Sequence, residues 1–94
     1  MNAIAHRVVA HGRVQGVGYR DAAVQAAFEH GIAGWVRNRT DGTVEMFVQG
    51  TPEAVERFLH WCRRGPPLAR VTDVVTTPAA VAPALRAFEW RPTA

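Results

Sequence analysis

An Asp-Gly pair near the middle of the chain constrains the fold more than any other feature. Asp41 and Gly42 separate residues 34–40 from residues 43–49, and both runs are rich in tryptophan, valine, phenylalanine and threonine. Asp-Gly between two such runs is typical of a β-hairpin, because the tight turn needs a positive φ that glycine adopts without strain. The sequence therefore predicts two antiparallel strands at its centre.

A helical pattern precedes this hairpin. A helix is expected to begin near Tyr19 or Arg20 and to stop at Gly31, because glycine readily ends helices. Helical spacing predicts that its apolar side is formed by Ala23, Val24, Ala27 and Phe28.

A second helical pattern follows the hairpin. Thr51 can cap this helix, Pro52 suits its first position, and Gly65 is expected to end it. Its apolar stripe has the spacing i, i+3, i+4, i+7 and consists of Val55, Phe58, Leu59 and Cys62.

Three further runs are expected to be strands: residues 4–11, residues 70–76 and, as a short fifth strand, residues 88–91. The resulting order β-α-β-β-α-β predicts the α+β class. Specifically, it predicts a ferredoxin-like α/β sandwich, an antiparallel sheet with both helices on one face. A chain of 94 residues is long enough for one core and too short for two, so a single domain over residues 1–94 is expected.

The connection between the first strand and the first helix, here called the glycine loop, comprises residues 12–20 and reads GRVQGVGYR. It lacks the third glycine of a dinucleotide-binding loop, and the chain has no lysine for a P-loop. A strand, a loop with several glycines and a helix N-terminus nevertheless suit an anion, because backbone N–H groups can converge there with the helix dipole. Arg20 could add a planar fork of donors. The alternative is a tight connection with a solvated arginine.

The predicted topology places Asn38 beside this loop. The first two strands run parallel with the third between them, so the ends of both strands lie at the same edge of the sheet. Asn38 could otherwise be an exposed polar residue at a strand end. Asp21 is expected to complement the helix dipole and not to act as a base.

Other residues indicate what the protein does not do. Cys62 lies in an apolar stripe and is expected to be a packed thiol; as the only cysteine, it suits a reducing compartment. The four histidines show no metal-ligand spacing, so no metal site is expected. The tryptophans are expected to pack and not to stack on bases. These residues are His6, His11, His30 and His60, and Trp35, Trp61 and Trp90.

Charge and hydropathy bear on partners and location. All 11 basic residues are arginine, which removes mechanisms that need an amine, and a net charge of +3 is mild for a nucleic-acid binder. No segment approaches the roughly 20 apolar residues of a membrane span, and the N-terminus does not resemble a secretory signal. We therefore expect a cytoplasmic protein that binds neither nucleic acid nor membranes.

Two stretches carry a family resemblance. The glycine loop and residues 31–45, GIAGWVRNRTDGTVE, strongly resemble acylphosphatase, and the likeness in length and element order covers nearly the whole chain. The resemblance implies hydrolysis of acyl phosphates to a carboxylate and inorganic phosphate, without a cofactor or metal. Nothing in the sequence demands more than a monomer. It implies that Arg20 clamps the phosphoryl group and that Asn38 positions the attacking water. The implied phosphate-binding amides are those of Gln15, Gly16, Val17, Gly18 and Tyr19.

Two other functional classes stay open on the residues alone. A non-catalytic anion-binding module would keep Arg20 and would not need Asn38. An RNA-binding domain of the same fold would show a stronger basic patch and exposed aromatic residues on its sheet.

Overall fold

The computed structural model describes residues 2–94 and confirms the predicted ferredoxin-like fold, with two helices packed on one face of a five-stranded sheet. Along the chain the elements are β1 (Ile4–Arg13), α1 (Tyr19–His30), β2 (Ala33–Asn38), β3 (Val44–Gly50), α2 (Pro52–Arg64), β4 (Arg70–Ala79) and β5 (Phe88–Arg91). Neither helix of the described residues is long and apolar enough to cross a membrane.

The sheet has the order β4-β1-β3-β2-β5 and is mixed, so the prediction of an antiparallel sheet is wrong for one strand pair. β5 pairs in parallel with β2, whereas the other neighbours are antiparallel. β4 ends at the end of the sheet where β2 begins. The segment after β4 crosses this end of the sheet, so β5 starts beside the start of β2 and runs parallel to it. Gln49 holds this return segment: its Nε2 donates to the Ala82 carbonyl (3.0 Å) and its Oε1 accepts from the Ala82 amide (2.7 Å).

The second helix forms as predicted. The Thr51 hydroxyl accepts a hydrogen bond from the Ala54 amide at 3.1 Å, and Pro52 occupies the first turn. Val55, Phe58 and Cys62 are buried against the sheet, and Leu59 packs beside them.

The first helix faces the core differently from its prediction. Tyr19, Ala23, Ala26 and Ala27 are buried, whereas Phe28 is 84% exposed. The Tyr19 hydroxyl donates to the Cys62 carbonyl at 2.8 Å, which joins the buried side of α1 to α2. Successive helical residues are about 100° apart, so a helix that buries Ala27 in this orientation turns Phe28 outward.

The central hairpin is confirmed, with a longer connection than the Asp-Gly pair alone predicted. β2 ends at Asn38, which pairs with Val44, and residues 39–43 form the loop. The Asp41 carboxylate accepts hydrogen bonds from the Thr43 hydroxyl (2.6 Å) and amide (3.0 Å), which lower the pKa of Asp41. Asn38 is therefore the last residue of its strand.

The sheet face opposite the helices carries a buried charge on the central strand. Glu45 is 1% exposed and lies between Arg7 and Arg37, with Arg37 Nη2 at 2.8 Å from its carboxylate. Burial raises the pKa of Glu45, but the hydrogen bonds and charges of the two arginines outweigh burial and lower it overall. The carboxylate thus stays ionised under the arginine side chains.

Gly34 is the position where a side chain would disturb the sheet most. Its φ is +146°, and a Cβ there would overlap the Phe47 carbonyl oxygen on β3. We expect Gly34→Ala to lower the free energy of unfolding by about 2–4 kcal/mol, because the added Cβ would strain both the backbone conformation and the β2–β3 pairing. In urea denaturation, Gly42→Ala is the control: its φ is +92° but the space around it is open, so a loss of about 1 kcal/mol is expected. Equal losses in the two variants would contradict the steric explanation.

Candidate active site

The glycine loop turns sharply between β1 and α1. Gly16 and Gly18 have φ values of +73° and +80°, and Gly18 is the residue that precedes the first turn of α1. Among residues 2–94, no side chain forms a capping hydrogen bond at this helix start. The loop therefore lies at the positive end of the helix dipole.

A cavity of about 240 Å³ opens beside this loop. It brings together Arg20, from the first turn of α1, and Asn38, from the end of β2. The lining consists of Val14, Gln15, Gly16, Gly18, Tyr19, Arg20, Asp21, Asn38 and Trp90. Of the predicted site residues only Val17 is not in this lining: its side chain is buried in the core, and it borders a neighbouring cavity with Arg13 and Arg70.

Arg20 is held by the last strand. Its Nη1 donates to the Arg91 carbonyl at 3.2 Å, and its Cζ lies 4.3 Å from the centroid of the Trp90 ring. Within residues 2–94, no salt bridge joins Arg20 to a carboxylate. Its positive charge is therefore available to an anion in the cavity.

Asn38 is held through its backbone. Its carbonyl accepts from the Ala94 amide at 3.0 Å, and the Thr40 amide donates to the Ala94 carbonyl at 3.0 Å. Side chains alternate along a strand, so Asn38 lies on the same sheet face as the fully buried Val36. Unlike Val36 it is only partly buried, and it belongs to the lining of the cavity.

Gln15 has a role that the sequence did not indicate, since only its backbone amide was predicted to function. Its Nε2 donates to the carbonyls of Arg39 and Thr43, both at 2.8 Å. The side chain therefore ties the glycine loop to the β2–β3 hairpin. It connects the two chain segments that carry Arg20 and Asn38.

Trp90 is the functional candidate that the sequence analysis missed by assigning it to packing. Its side chain is 49% exposed and lines the cavity. The only sequence signal was its place in the short run FEWR, and its position depends on the parallel pairing of β5 with β2, which no local pattern indicates. Trp61 does pack as predicted, with its ring 5.4 Å from that of Tyr19 and 5.7 Å from that of Phe58.

The titratable residues near the site are few. Asp21 is exposed in the first turn of α1 and borders the cavity. Cys62 does not line the cavity: it is buried in the core as predicted, and burial raises the pKa of its thiol to about 12. Within residues 2–94, no three His, Cys, Asp or Glu side chains are placed to hold a metal ion together.

Comparisons with known proteins agree on one family. The acylphosphatase family model matches residues 6–90. An acylphosphatase of Acidiphilium cryptum is 58% identical over 74 residues, covering 79% of this chain and 81% of that relative. One from Cupriavidus necator is 52% identical over 87 residues, covering 93% and 92%. The crystal structure of acylphosphatase from Bacillus subtilis superposes with a TM-score of 0.89 at 34% identity, covering 94% of this chain and 98% of that one. The chain therefore belongs to the acylphosphatase family of enzymes.

Proposed function

We propose that this enzyme hydrolyses the carboxyl-phosphate bond of acyl phosphates to give a carboxylate and inorganic phosphate. The observation that carries the proposal is the single cavity in which Arg20 and Asn38, from different elements, lie beside the amides at the start of α1. The family named by the relatives points to the same reaction.

The phosphoryl group would be bound by fixed donors. The amides of residues 15–19 and the guanidinium of Arg20 can contact its nonbridging oxygens, and the arginine can do so in a bidentate manner. In a loose phosphoryl-transfer transition state the charge is spread over these three oxygens, so donors already in place around them stabilise it. Arg20 and the amides are thus sufficient for charge stabilisation without a metal.

Asn38 would position the attacking water. Its amide can accept one hydrogen bond from water and donate another, but it cannot take up a proton at ordinary pH. The leaving carboxylate is a weak base and needs no general acid. Because Asn38 cannot accept a proton, the proton of the attacking water passes to a phosphate oxygen of the substrate. The protein then contributes orientation and electrostatics only.

Gln15 would keep the glycine loop and the hairpin at a fixed distance from each other. Its two hydrogen bonds join the loop that binds phosphate to the hairpin that carries Asn38. A displacement of about 1 Å between reacting groups is enough to reduce turnover strongly. The side chain is therefore part of the proposed site, although it need not touch the substrate.

The proposal includes a monomeric, cytoplasmic enzyme that does not bind nucleic acid. One chain supplies the whole lining of the cavity. On the open sheet face, Arg7 and Arg37 are neutralised in part by Glu45, and Trp35 is covered by Arg37 and Arg91 with 4.9 Å from each Cζ to its ring centroid. A strand of RNA would have to displace these contacts before it could stack there.

Hydrolysis of a synthetic acyl phosphate in excess chelator tests the two central residues. We expect Arg20→Ala to lose both inhibition by inorganic phosphate and turnover, with kcat/KM falling about 100-fold or more. Asn38→Ala should lose about 100-fold in kcat and keep phosphate inhibition, because it removes only the contact to water. Arg63→Ala, an exposed arginine on α2, is the matched control. Full activity of Asn38→Ala would exclude its water-positioning role, and an inactive parent that binds phosphate would indicate a binding module.

The pH dependence of kcat tests the absence of a protein base. We expect no titration in kcat that is due to a protein carboxylate, since Asn38 does not ionise and the proton goes to the substrate. Asp21→Asn is the relevant variant, because Asp21 is the carboxylate at the cavity. Its kcat should stay within about twofold of the parent, whereas loss of a general base costs about 100-fold or more. A drop of that size, together with loss of a titration in kcat, would identify Asp21 as the base.

Gln15→Ala tests the connection between loop and hairpin. The carbonyls of Arg39 and Thr43 keep the hydrogen bonds that they accept from the amides of Gly42 and Arg39. Loss of the two bonds from Gln15 is therefore expected to lower the free energy of unfolding by about 1–2 kcal/mol. Inhibition by phosphate should weaken and kcat should fall. Gln25→Ala is the control, because Gln25 is exposed on α1 and bonds only to Glu29 at 3.3 Å. Urea denaturation and the acyl phosphate assay measure the two effects, and a Gln15→Ala enzyme equal to Gln25→Ala in both would contradict this role.

A further inference from the structure

Trp90 is placed against the guanidinium of Arg20. On β5 it pairs with Val36 of β2, so its side chain lies on the helix face of the sheet, where α1 begins. The Arg20 Cζ is 4.3 Å from the indole centroid, a distance typical of a cation stacked over a ring. With 49% of its surface exposed, the indole is a wall of the cavity more than a part of the core.

The neighbouring residue of the same strand holds one edge of the guanidinium. The Arg91 carbonyl accepts a hydrogen bond from Arg20 Nη1 at 3.2 Å. A stacked guanidinium keeps its N–H donors in its own plane, directed away from the ring. The guanidinium of Arg20 has one face on Trp90 and one N–H group bonded to β5, so its other N–H donors are left for a ligand.

We propose that Trp90 is a positioning residue for the phosphoryl site: it holds Arg20 in the orientation in which the guanidinium meets the anion. An arginine side chain has many rotamers in solution, and ordering it upon binding costs affinity. Stacking on Trp90 orders it beforehand. The inference rests on the proposed function only in identifying the anion as a phosphoryl group. The positioning role of Trp90 requires only that Arg20 binds an anion.

The sheet contains a similar contact that serves as an internal control. Trp35, on the opposite face, lies between Arg37 and Arg91 at 4.9 Å from each Cζ. It is a tryptophan stacked with arginine in the same sheet, and it does not line the cavity. The same substitution at the two positions separates an effect on the site from a general loss of an aromatic–arginine contact.

Binding of inorganic phosphate, measured by calorimetry on the full chain, is the first readout. We expect Trp90→Leu to raise the Kd for phosphate about three- to tenfold, the size expected of one such contact. Trp90→Phe, which keeps an aromatic face, should recover most of the affinity. Trp35→Leu should leave the phosphate Kd unchanged. Unchanged phosphate binding in Trp90→Leu, or an equal loss in Trp35→Leu, would overturn the inference.

The mobility of the Arg20 side chain is the second readout, and a purely structural role of Trp90 would not change it selectively. NMR relaxation of the Arg20 Nε–H group should show a restricted side chain in the parent and in Trp90→Phe, and a mobile one in Trp90→Leu. A restricted Arg20 in Trp90→Leu would also overturn the inference. A parent that binds phosphate without hydrolysing acyl phosphates would refute the proposed reaction and leave this test of Trp90 intact. A parent that binds no phosphate would refute both.

Discussion

The pairing of β3 with a strand on each side is the constraint on which the rest of the structure depends. β1 and β2 are both antiparallel to β3 and hence parallel to each other, so they end at the same edge of the sheet. β3 itself is buried on both faces, with Met46 under the helices and Glu45 under two arginines. A buried carboxylate without those arginines would be costly, so the charges at this strand restrict what can pair with it. The glycine loop and Asn38 become neighbours only because this pairing holds.

A site built in this way must act mainly through position. In the proposed mechanism an arginine supplies a fixed charge and an asparagine has no ionisable group, so the geometry of the fixed donors would determine the catalytic effect. Geometry of that kind requires support from outside the site. The side chain of Gln15 links the glycine loop to the hairpin, and the hydroxyl of Tyr19 links α1 to α2 through the Cys62 carbonyl. Each support is a hydrogen bond to a backbone carbonyl of another segment of the chain, which ties the position of the loop to the fold.

Local signals predicted much of this arrangement, and contacts between distant segments set the limits of prediction. Thr51 with Pro52 marked the start of α2, and Asp41 with Gly42 marked the hairpin, because capping and turn formation depend on adjacent residues. The element order then sufficed to place Arg20 and Asn38 at one edge of the sheet. The exposed Phe28 could not be foreseen, because the side of α1 that faces the core depends on contacts with distant segments, such as the hydrogen bond between Tyr19 and a residue 43 positions away.

The last strand shows the same limit in the part of the molecule nearest to the proposed chemistry. β5 is short, its partner β2 is remote in sequence, and nothing in FEWR indicates whether it runs parallel or antiparallel. Yet the segment from Trp90 onward contacts both sides of the site: Trp90 and Arg91 hold Arg20, and Ala94 bonds to the backbone of Asn38 and Thr40. The groups proposed to grip the phosphoryl oxygens and to orient the water therefore share one support. Under the proposed mechanism, displacement of β5 would alter substrate binding and water placement together, although the resemblance in the sequence assigns no role to residues on this strand.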